Sequence, residues 1–170
     1  MLCAVDVHYE PDRSRACCTV FAEWSSPSSD AERVIETPPA EPYVPGQFFR
    51  RELPPLLAIL RTLPARPEIV VIDGYVWLDA DGTPGLGARL HEALGMVVVG
   101  VAKTPYRGTV PAARVFRGGS AKPLFVSAIG LGLENAADGV RRMHGDHRIP
   151  VLLKRTDQLA RGLVQPIPCR

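Results

Sequence analysis

Two apolar segments on either side of a helical segment restrict the fold of this chain more than any other feature. EIVVID (68–73) and MVVVGVA (96–102) consist almost entirely of apolar residues, which is typical of strands that a parallel sheet buries on both faces. Between them, PGLGARLHEALG (84–95) has helical spacing and ends at Gly95, a common helix stop. A strand, a helix and a second strand of this kind predict a parallel βαβ unit.

The residues before this unit predict three antiparallel strands. Residues 2–9 alternate between two faces, and Asp6 is on one of them. Segments 15–24 and 32–38 are predicted as a second and a third strand, and short connections between consecutive strands favour an antiparallel meander. We therefore expect a sheet that is antiparallel at its start and parallel further along the chain.

Helical segments cover much of the remaining chain. FFRRELPPLLAILRTL (48–63) has leucines at helical spacing, and we expect Pro54 and Pro55 in its first turn. Two strand-like and two further helical segments follow, at 113–118, 123–128, 133–145 and 154–163. An antiparallel three-strand start followed by parallel βα units is the ribonuclease H-like pattern. We therefore predict an α/β fold, a mixed sheet flanked by helices, in a single domain over 1–170.

Length and composition place the chain among ordinary globular proteins. Its 170 residues suit one domain, and 46% hydrophobic with 22% charged residues is an average balance. The longest apolar runs are far too short to cross a bilayer, and Met1 leads directly into a strand rather than a signal peptide. The four cysteines show no CxxC spacing, which argues against a zinc site and favours thiols in a reducing compartment. We therefore expect a cytoplasmic protein without membrane contact that acts as a monomer.

Charge is distributed unevenly along the chain. Residues 1–102 carry 8 basic and 14 acidic side chains, whereas residues 103–170 carry 12 and 4. The segment 103–122 contains five Lys or Arg residues and no acid. Such an asymmetry suggests a basic surface for a polyanion beside an acidic pocket, although charges on an ordinary solvated surface give the same pattern.

Four acidic residues stand out by their position. Asp6 lies inside an apolar strand, where a carboxylate is costly unless it is paired, hydrogen-bonded or bound to a metal. Glu52 begins a helix, Asp73 ends a buried strand and Asp157 belongs to the last helix. Converging carboxylates repel each other unless cations neutralise them, and Mg²⁺ prefers oxygen ligands. Two such ions about 3.5–4 Å apart activate water for phosphodiester hydrolysis.

Three of these acids also have an ordinary alternative. Glu52 is equally compatible with a first-turn acid that the helix dipole stabilises. Asp73 with Gly74 is compatible with a turn, and Asp157 with an exposed helix position. Asp6 is the hardest of the four to explain without a site.

The residues around these acids resemble the endonuclease V family of deoxyinosine 3′ endonucleases. AVDVHY (4–9) is similar to the family's first aspartate motif, and VIDG (71–74) to its second. GVAK (100–103) resembles the segment that carries a lysine near the scissile phosphate. Longer blocks resemble the Tyr-Pro-Gly loop with its Arg-Glu pair and the C-terminal part of the family: YVPGQFFRRELPPLL (43–57), KPLFVSAIG (122–130) and IPVLLKRTDQLAR (149–161).

The resemblance implies a metal-dependent endonuclease. Asp6, Glu52 and Asp73 would be the catalytic metal ligands, and Asp157 would add to the metal shell. Lys103 would be catalytic by steadying phosphate charge. The implied metal is Mg²⁺, with Mn²⁺ as a substitute, and the implied reaction is hydrolysis 3′ of deoxyinosine, deaminated adenine, in DNA repair. The sequence leaves inosine-containing DNA and RNA both open as partners.

The resemblance also implies how the nucleic acid is held. Four loop residues would form a wedge that fills the gap left by an extruded base: Tyr43, Val44, Pro45 and Gly46. Backbone at Gly46, Gly74 and Gly100 would line the base pocket, because glycine lets a flat ligand approach the main chain. Extruding a base costs a few kcal/mol, and less when the base is already mispaired. Three basic side chains would bind phosphates: Arg107, Arg117 and Lys122.

The chain departs from the family pattern in one loop. Val76 stands where the family usually has glycine, and WLDADGTPG (77–85) replaces the usual His-Pro-Arg segment. Asp79 falls near the place of the expected histidine without being its equivalent. We therefore expect a short variant that lacks this segment and the family's N-terminal extension. Two alternatives remain open: a ribonuclease H-like nuclease with altered base or structure specificity, and a non-catalytic nucleic-acid-binding module.

Overall fold

The computed structural model describes residues 1–39, 49–106 and 110–167. Within them, seven strands form one sheet and four helices cover it. The strands are β1 (Leu2–Tyr9), β2 (Ser14–Phe21), β3 (Ala31–Thr37), β4 (Ile69–Asp73), β5 (Val97–Ala102), β6 (Ala113–Val115) and β7 (Leu124–Ile129). The helices are α1 (Phe49–Arg61), α2 (Leu86–Leu94), α3 (Leu133–Arg142) and α4 (Val151–Ala160).

The strand order across the sheet is β3-β2-β1-β4-β5-β7-β6. Strands β1, β2 and β3 are antiparallel neighbours, and β4 pairs in parallel with both β1 and β5. Strand β7 returns antiparallel to β5, and β6 pairs antiparallel with β7. The apolar strands β4 and β5 occupy the centre because they need cover on both faces. The predicted mixed sheet is therefore confirmed.

Two helices pack on each face of the sheet. Because side chains alternate along a strand, Val5 and Ile72 join Leu56 of α1 in the apolar core under α1 and α2. Ala4 and Val71 point the other way and join the core under α3 and α4. Among the described residues, no helix combines the length and the apolar character needed to cross a membrane.

Helix α1 carries its two prolines in its interior. Because α1 already includes Phe49, Pro54 and Pro55 lie beyond its first turn, and the prediction that they begin the helix is wrong. Each proline lacks a backbone N–H, so the helix gives up internal hydrogen bonds there. Its apolar face, with Leu56 and Ile59 buried in the core, stabilises the helix despite this loss.

Two element boundaries differ from those expected. Strand β2 ends at Phe21, earlier than expected, and Trp24 packs on α3 at Gly139, where a Cβ atom would overlap the indole ring. This contact accounts for a glycine inside a helix, which otherwise costs about 1 kcal/mol relative to alanine. Helix α4 begins at Val151, three residues before the expected start at 154. Tertiary packing, which local patterns do not contain, sets both boundaries.

Candidate functional site

Asp6 and Asp73 are neighbours on the two central parallel strands. Strands β1 and β4 pair as far as Val5 and Ile72, and the next residue on each strand is one of these acids. Both carboxylates share the face of the sheet on which α4 packs against β1. Two adjacent carboxylates repel each other unless a proton or a cation lies between them. The fold therefore creates a local excess of negative charge at this point.

Glu52 reaches the same place from the first turn of α1, where it borders a small hollow together with Asp6 and Asp73. Burial, followed by the charges of Asp6 and Asp73, raises the pKa of Glu52 to about 8. Asp6 Oδ1 accepts a 2.8 Å hydrogen bond from the Val7 N–H. Burial, assisted by the charge of Asp73, nevertheless raises the pKa of Asp6 to about 6. These values show that the surroundings do not compensate the charge of either carboxylate.

Lys103 directly follows β5 and lies over Asp73. Its Nζ donates to Asp73 Oδ2 at 2.6 Å, and both side chains are nearly half exposed, at 45% and 44%. Burial is the largest single influence and lowers the pKa of Lys103, but the hydrogen bond to Asp73 and the charges of the nearby acids together outweigh it, and the pKa is raised. An exposed pair of this kind contributes little to stability, so its position beside the acids matters more than its strength.

Asp157 approaches from α4, on the other side of the same edge. Its Oδ1 accepts a 3.0 Å hydrogen bond from Arg161 Nε, one helical turn later. Together with Asp6 and Asp73, it lines a cleft of ≈ 360 Å³ between the sheet and α4. The structure therefore brings the acids predicted from the sequence to one region, with Glu52 on the α1 side and Asp157 on the α4 side.

The donor set suits a hard divalent cation, because all its ligand atoms are carboxylate oxygens. Among the described residues, however, no three His, Cys, Asp or Glu side chains are grouped closely enough to hold an ion as they stand. Asp73 is instead turned to Lys103. The acids therefore fit a metal by their chemistry and their convergence, and side-chain rotation would have to complete the ligand set.

Tyr9 and Arg51 were not anticipated from the sequence. The Arg51 guanidinium lies 4.5 Å from the centroid of the Tyr9 ring, which places Tyr9 beside the start of α1. Burial and then the charge of Glu52 raise the pKa of Tyr9. Its buried hydroxyl has no hydrogen-bond partner within the described part of the chain. The sequence indicates this contact only indirectly. Tyr9 lies on the same strand as Asp6, and Arg51 directly precedes Glu52.

A second missed group is the carboxylate of Glu32 on β3. Its side chain is only 1% exposed and accepts hydrogen bonds from Arg155 Nε and Nη2, both at 2.9 Å, on α4. The Ser29 hydroxyl and the Ile167 N–H also donate to it. This group ties the helix that carries Asp157 to the edge of the sheet. Glu32 and Arg155 are 123 residues apart in sequence, so no local pattern reveals the pair.

The two predicted pocket glycines in the described residues, Gly74 and Gly100, differ in their surroundings, and Gly46 lies outside the described residues. A Cβ atom on Gly100 would lie 2.5 Å from the Gly74 carbonyl oxygen and 2.8 Å from Ser127 Oγ. The space in front of Gly100 is therefore filled by the protein itself, which conflicts with an open base pocket at this residue. Gly74 has a φ of 136°, a backbone conformation that only a residue without a side chain adopts readily. A Cβ atom added to Gly74 would have no neighbour within 4 Å among the described residues.

Arg117 is buried, which conflicts with its predicted role in binding phosphate. Its guanidinium donates to four backbone carbonyls in and after α3: those of Arg141, Met143, Gly145 and His147. Its hydrogen-bonding capacity is thus spent on holding the α3–α4 connection. Lys122 is exposed, as a phosphate-binding side chain requires. The wedge residues Tyr43, Val44, Pro45 and Gly46, and also Arg107, lie outside the described residues.

The divergent loop at 77–85 is a compact turn. Trp77 and Pro84 form an isolated β-bridge, and the Thr83 N–H donates to Asp79 Oδ1 at 2.9 Å. Asp79 is therefore engaged within its own loop and does not replace the expected histidine at the acids. Val76 is fully buried and packs against Gly87 of α2, where a Cβ atom would come within 2.7 Å of the valine side chain.

Comparison with known proteins identifies relatives of the chain along most of its length. The endonuclease V family model matches residues 1–120. Endonuclease V of Streptomyces coelicolor is 31% identical over a stretch that covers 95% of this chain and 78% of that protein. Endonuclease V of Thermococcus kodakarensis is 32% identical, with coverages of 94% and 77%.

Solved structures agree with this similarity. Endonuclease V from Streptomyces avermitilis superimposes with a TM-score of 0.79 at 27% identity, covering 95% of this chain and 80% of that one. Ciona intestinalis endonuclease V, in complex with a 23mer DNA containing an inosine followed by a ribo-adenosine, gives a TM-score of 0.83 at 20% identity, with coverages of 95% and 84%. At that identity the second likeness concerns the fold alone. The chain belongs to the endonuclease V family, whose members are metal-dependent nucleases that hydrolyse phosphodiester bonds.

Proposed function

We propose that this protein is a Mg²⁺-dependent endonuclease that nicks DNA 3′ of deoxyinosine and so acts in DNA repair. The observation that carries the proposal is the meeting of Asp6, Glu52 and Asp73 at one edge of the sheet, with raised pKa values for two of them. A protein that only binds nucleic acid gains nothing from such carboxylates, because they repel phosphates. This argues against a non-catalytic binding module.

The three acids would hold the metal, with Asp157 available to its outer shell. Bound Mg²⁺ supplies an activated water and neutralises charge on the phosphodiester and the leaving oxygen. The protein must keep Asp6 and Glu52 deprotonated and face their oxygens toward one point. Their raised pKa values oppose deprotonation in the metal-free protein, and the charge of a cation at this point would favour the ionised carboxylates.

Lys103 would steady the phosphate charge beside the acids. Its ammonium is held by Asp73 in the free protein, so a metal on Asp73 would release it toward a phosphate oxygen. Lys122 would bind backbone phosphates further from the cut. By the family resemblance alone, Arg107 would also bind a phosphate, and residues 43–46 would form the wedge. Arg117 is not kept, because its guanidinium is bound to backbone carbonyls.

The proposal also covers the alternative metal ion, a second substrate, the oligomeric state and the cellular location. Mn²⁺ would substitute for Mg²⁺, because both accept carboxylate and water ligands. Inosine in RNA would be a further substrate. The protein would work as a monomer in the cytoplasm, in keeping with Cys3, Cys17 and Cys18, which are free and buried.

A nuclease with altered specificity is the second candidate. The packing in front of Gly100 and the buried Val76, in place of the family's usual glycine, both favour it. A pocket that the protein itself fills would have to open before it accepts a flipped base. Specificity would then depend on the divergent loop at 77–85, which Val76 precedes directly.

One nicking assay separates the two candidates. Purified protein is incubated with Mg²⁺ and end-labelled duplexes that differ only in one deoxyinosine or deoxyadenosine at the same position. The inosine-directed enzyme nicks only the first duplex, 3′ of the lesion, and EDTA abolishes the cut. Equal nicking of both duplexes favours altered specificity. Absence of any nick at high enzyme concentration, on this DNA and on inosine-containing RNA, rejects the inosine-directed proposal.

A further inference from the structure

The cleft between the sheet and α4 extends well beyond the acids at its edge. Asp73 and Lys103 are nearly half exposed, so they stand at its mouth, whereas Val71 and Leu124 are buried and form its floor. Its volume, ≈ 360 Å³, is in the range that holds one small ligand. The apolar residues that line it are Ala4, Val71, Val101, Leu124, Ile149 and Leu153.

The cleft is distinct from the base pocket that the glycines imply. Strands β4 and β5 pair Ile72 with Gly100, so Gly100 shares the face of the sheet that packs against α1 and α2. The cleft lies on the opposite face, with Val71 and Asp73. A strand held at the acids therefore has access to two different sides of the sheet.

Two arginines hold the backbone around one wall of the cleft. Arg148 lines the cleft and donates to the carbonyls of Lys103 and, at 2.8 Å, Pro123. Arg117 holds the neighbouring segment through the carbonyls of Gly145 and His147, both at 3.1 Å. The wall is thus anchored to β5, β7 and α3, and its shape does not depend on a ligand.

The rim of the cleft carries one lysine on each of two sides. Lys103 lies just after β5, and Lys154 is exposed on α4. Inside, the Thr156 hydroxyl is already bonded to the Leu152 carbonyl and to Thr19 Oγ1, both at 2.7 Å. The cleft therefore has two lysines and the acids at its entrance, and its walls away from the acids are mostly apolar.

We propose that this cleft takes one unpaired nucleobase of the bound strand, adjacent to the phosphodiester at the acids. The base lies against the apolar walls, while Lys103 and Lys154 contact the phosphates on its two sides. Because the interior offers few free polar groups, the cleft accepts any base and binds the strand irrespective of sequence. This inference rests on the proposed nuclease function, since it needs a phosphodiester at the acids.

Binding of fluorescent oligonucleotides tests the proposal without cleavage. A set of deoxyinosine duplexes carries 2-aminopurine at one position each, from three nucleotides 5′ to three nucleotides 3′ of the expected cut, and EDTA is present throughout. The wild-type protein should change the fluorescence most at one position next to the cut. Leu153→Trp fills the cleft, so it should abolish that change and weaken binding about tenfold, the order of one lost base contact.

Leu163→Trp is the matched control, because Leu163 is 68% exposed and does not line the cleft. It should leave both the fluorescence and the affinity as in the wild type. Ile149→Phe narrows the cleft from another wall and replaces Leu153→Trp if thermal unfolding shows that the latter is not folded. Identical fluorescence patterns for the cleft-filling variant and the control overturn the proposal. Because the readout is binding and not nicking, the result for the cleft does not depend on the nicking assay. A protein that binds these duplexes without nicking them would reject the inosine-directed function and would still decide whether the cleft holds a base.

Discussion

Two groups of acidic side chains in this protein differ in how their charge is compensated. Glu32 is almost completely buried, yet its bonds to Arg155, Ser29 and the Ile167 N–H outweigh the effect of burial, and its pKa is lowered. Asp6 and Glu52 are less buried by exposed area, yet their pKa values are raised to about 6 and about 8. Hydrogen bonds and ion pairs, rather than burial alone, decide the ionisation of a carboxylate.

This difference separates a structural acid from a functional one. Both carboxylate oxygens of Glu32 already accept two hydrogen bonds each, so neither is available to a ligand. The bonds to Arg155 also hold α4 against β3. Among the described residues, the Asp6 carboxylate accepts one hydrogen bond, from the Val7 N–H, and like charges adjoin it. A site that stays short of positive charge retains its capacity to bind a cation, at the cost of stability in the free protein. The two groups should therefore respond in opposite ways to the same type of substitution.

The largest expected effect is on activity, at the uncompensated acids. Asp6→Asn and Asp73→Asn should each reduce nicking of a deoxyinosine duplex by at least about a thousandfold, because each removes charge that the metal requires. The fold should survive, since the amide has nearly the same shape as the carboxylate. Nicking rates with saturating Mg²⁺ and thermal unfolding curves measure the two quantities. Wild-type rates in either variant would show that the acids are not the metal site.

Glu32→Gln should show the reverse pattern. Glu32→Gln removes the buried partner of a half-buried ion pair and weakens the bonds to Arg155, so we expect the free energy of unfolding to fall by about 2 kcal/mol. Urea unfolding of the variant and the wild type measures this change. Nicking at a temperature where the variant is folded should stay within severalfold of the wild type. A stable variant with no activity would contradict the structural role of Glu32.

The free energy of unfolding should also depend on pH through Glu52. With a pKa of about 8 in the folded protein and an ordinary value of 4.5, the folded state keeps a proton that the unfolded chain releases between these pH values. Stability of the metal-free protein should therefore decrease as the pH rises from about 5 to about 8. Glu52→Gln removes this charge and should raise the free energy of unfolding at pH 8.5 by more than about 1 kcal/mol.

The matched measurement is the same pair of proteins at about pH 3, well below both pKa values, where Glu52 is protonated in both states and the two stabilities should converge. Urea unfolding in EDTA gives both values. A difference that is independent of pH would show that the substitution acts through packing and not through the charge of Glu52. In that case Glu52 would not belong, with Asp6, to the acids whose charge is uncompensated.

Local patterns were sufficient for the central part of the fold. The apolar strands β4 and β5, the helix between them and the alternation of β1 are encoded in short segments, and all are present. The acids could be proposed because each is out of place in its own segment, and the order of the surrounding motifs pointed to one family. The antiparallel return of β7 and the start of α4 depend on packing between distant segments, which short patterns do not contain.

The predictions that differ from the structure concern side chains whose contact partners come from distant segments. The sequence shows Arg117 as one of several cations in a basic segment, but not the carbonyls of the α3–α4 connection that bind it. Likewise, Glu32 has its partner Arg155 on a different element, far along the chain. Gly100 was assigned to a pocket because glycine permits close approach, but Gly74 and Ser127 make that approach. Residue type indicates what a side chain is able to do, and only tertiary structure selects the partner.

The smallest expected effect extends the same comparison to the cations. Lys122 is exposed, and Lys122→Ala should weaken binding to any duplex only a few-fold and reduce the salt dependence of binding by about one phosphate contact. Arg117→Lys should instead lower the thermal stability, since lysine cannot reach several carbonyls at once. Fluorescence anisotropy at several salt concentrations, with a deoxyinosine duplex and an undamaged duplex in EDTA, measures the affinities. An unchanged salt slope for Lys122→Ala, or a reduced slope for folded Arg117→Lys, would reverse the assignment of the surface cation and the structural one.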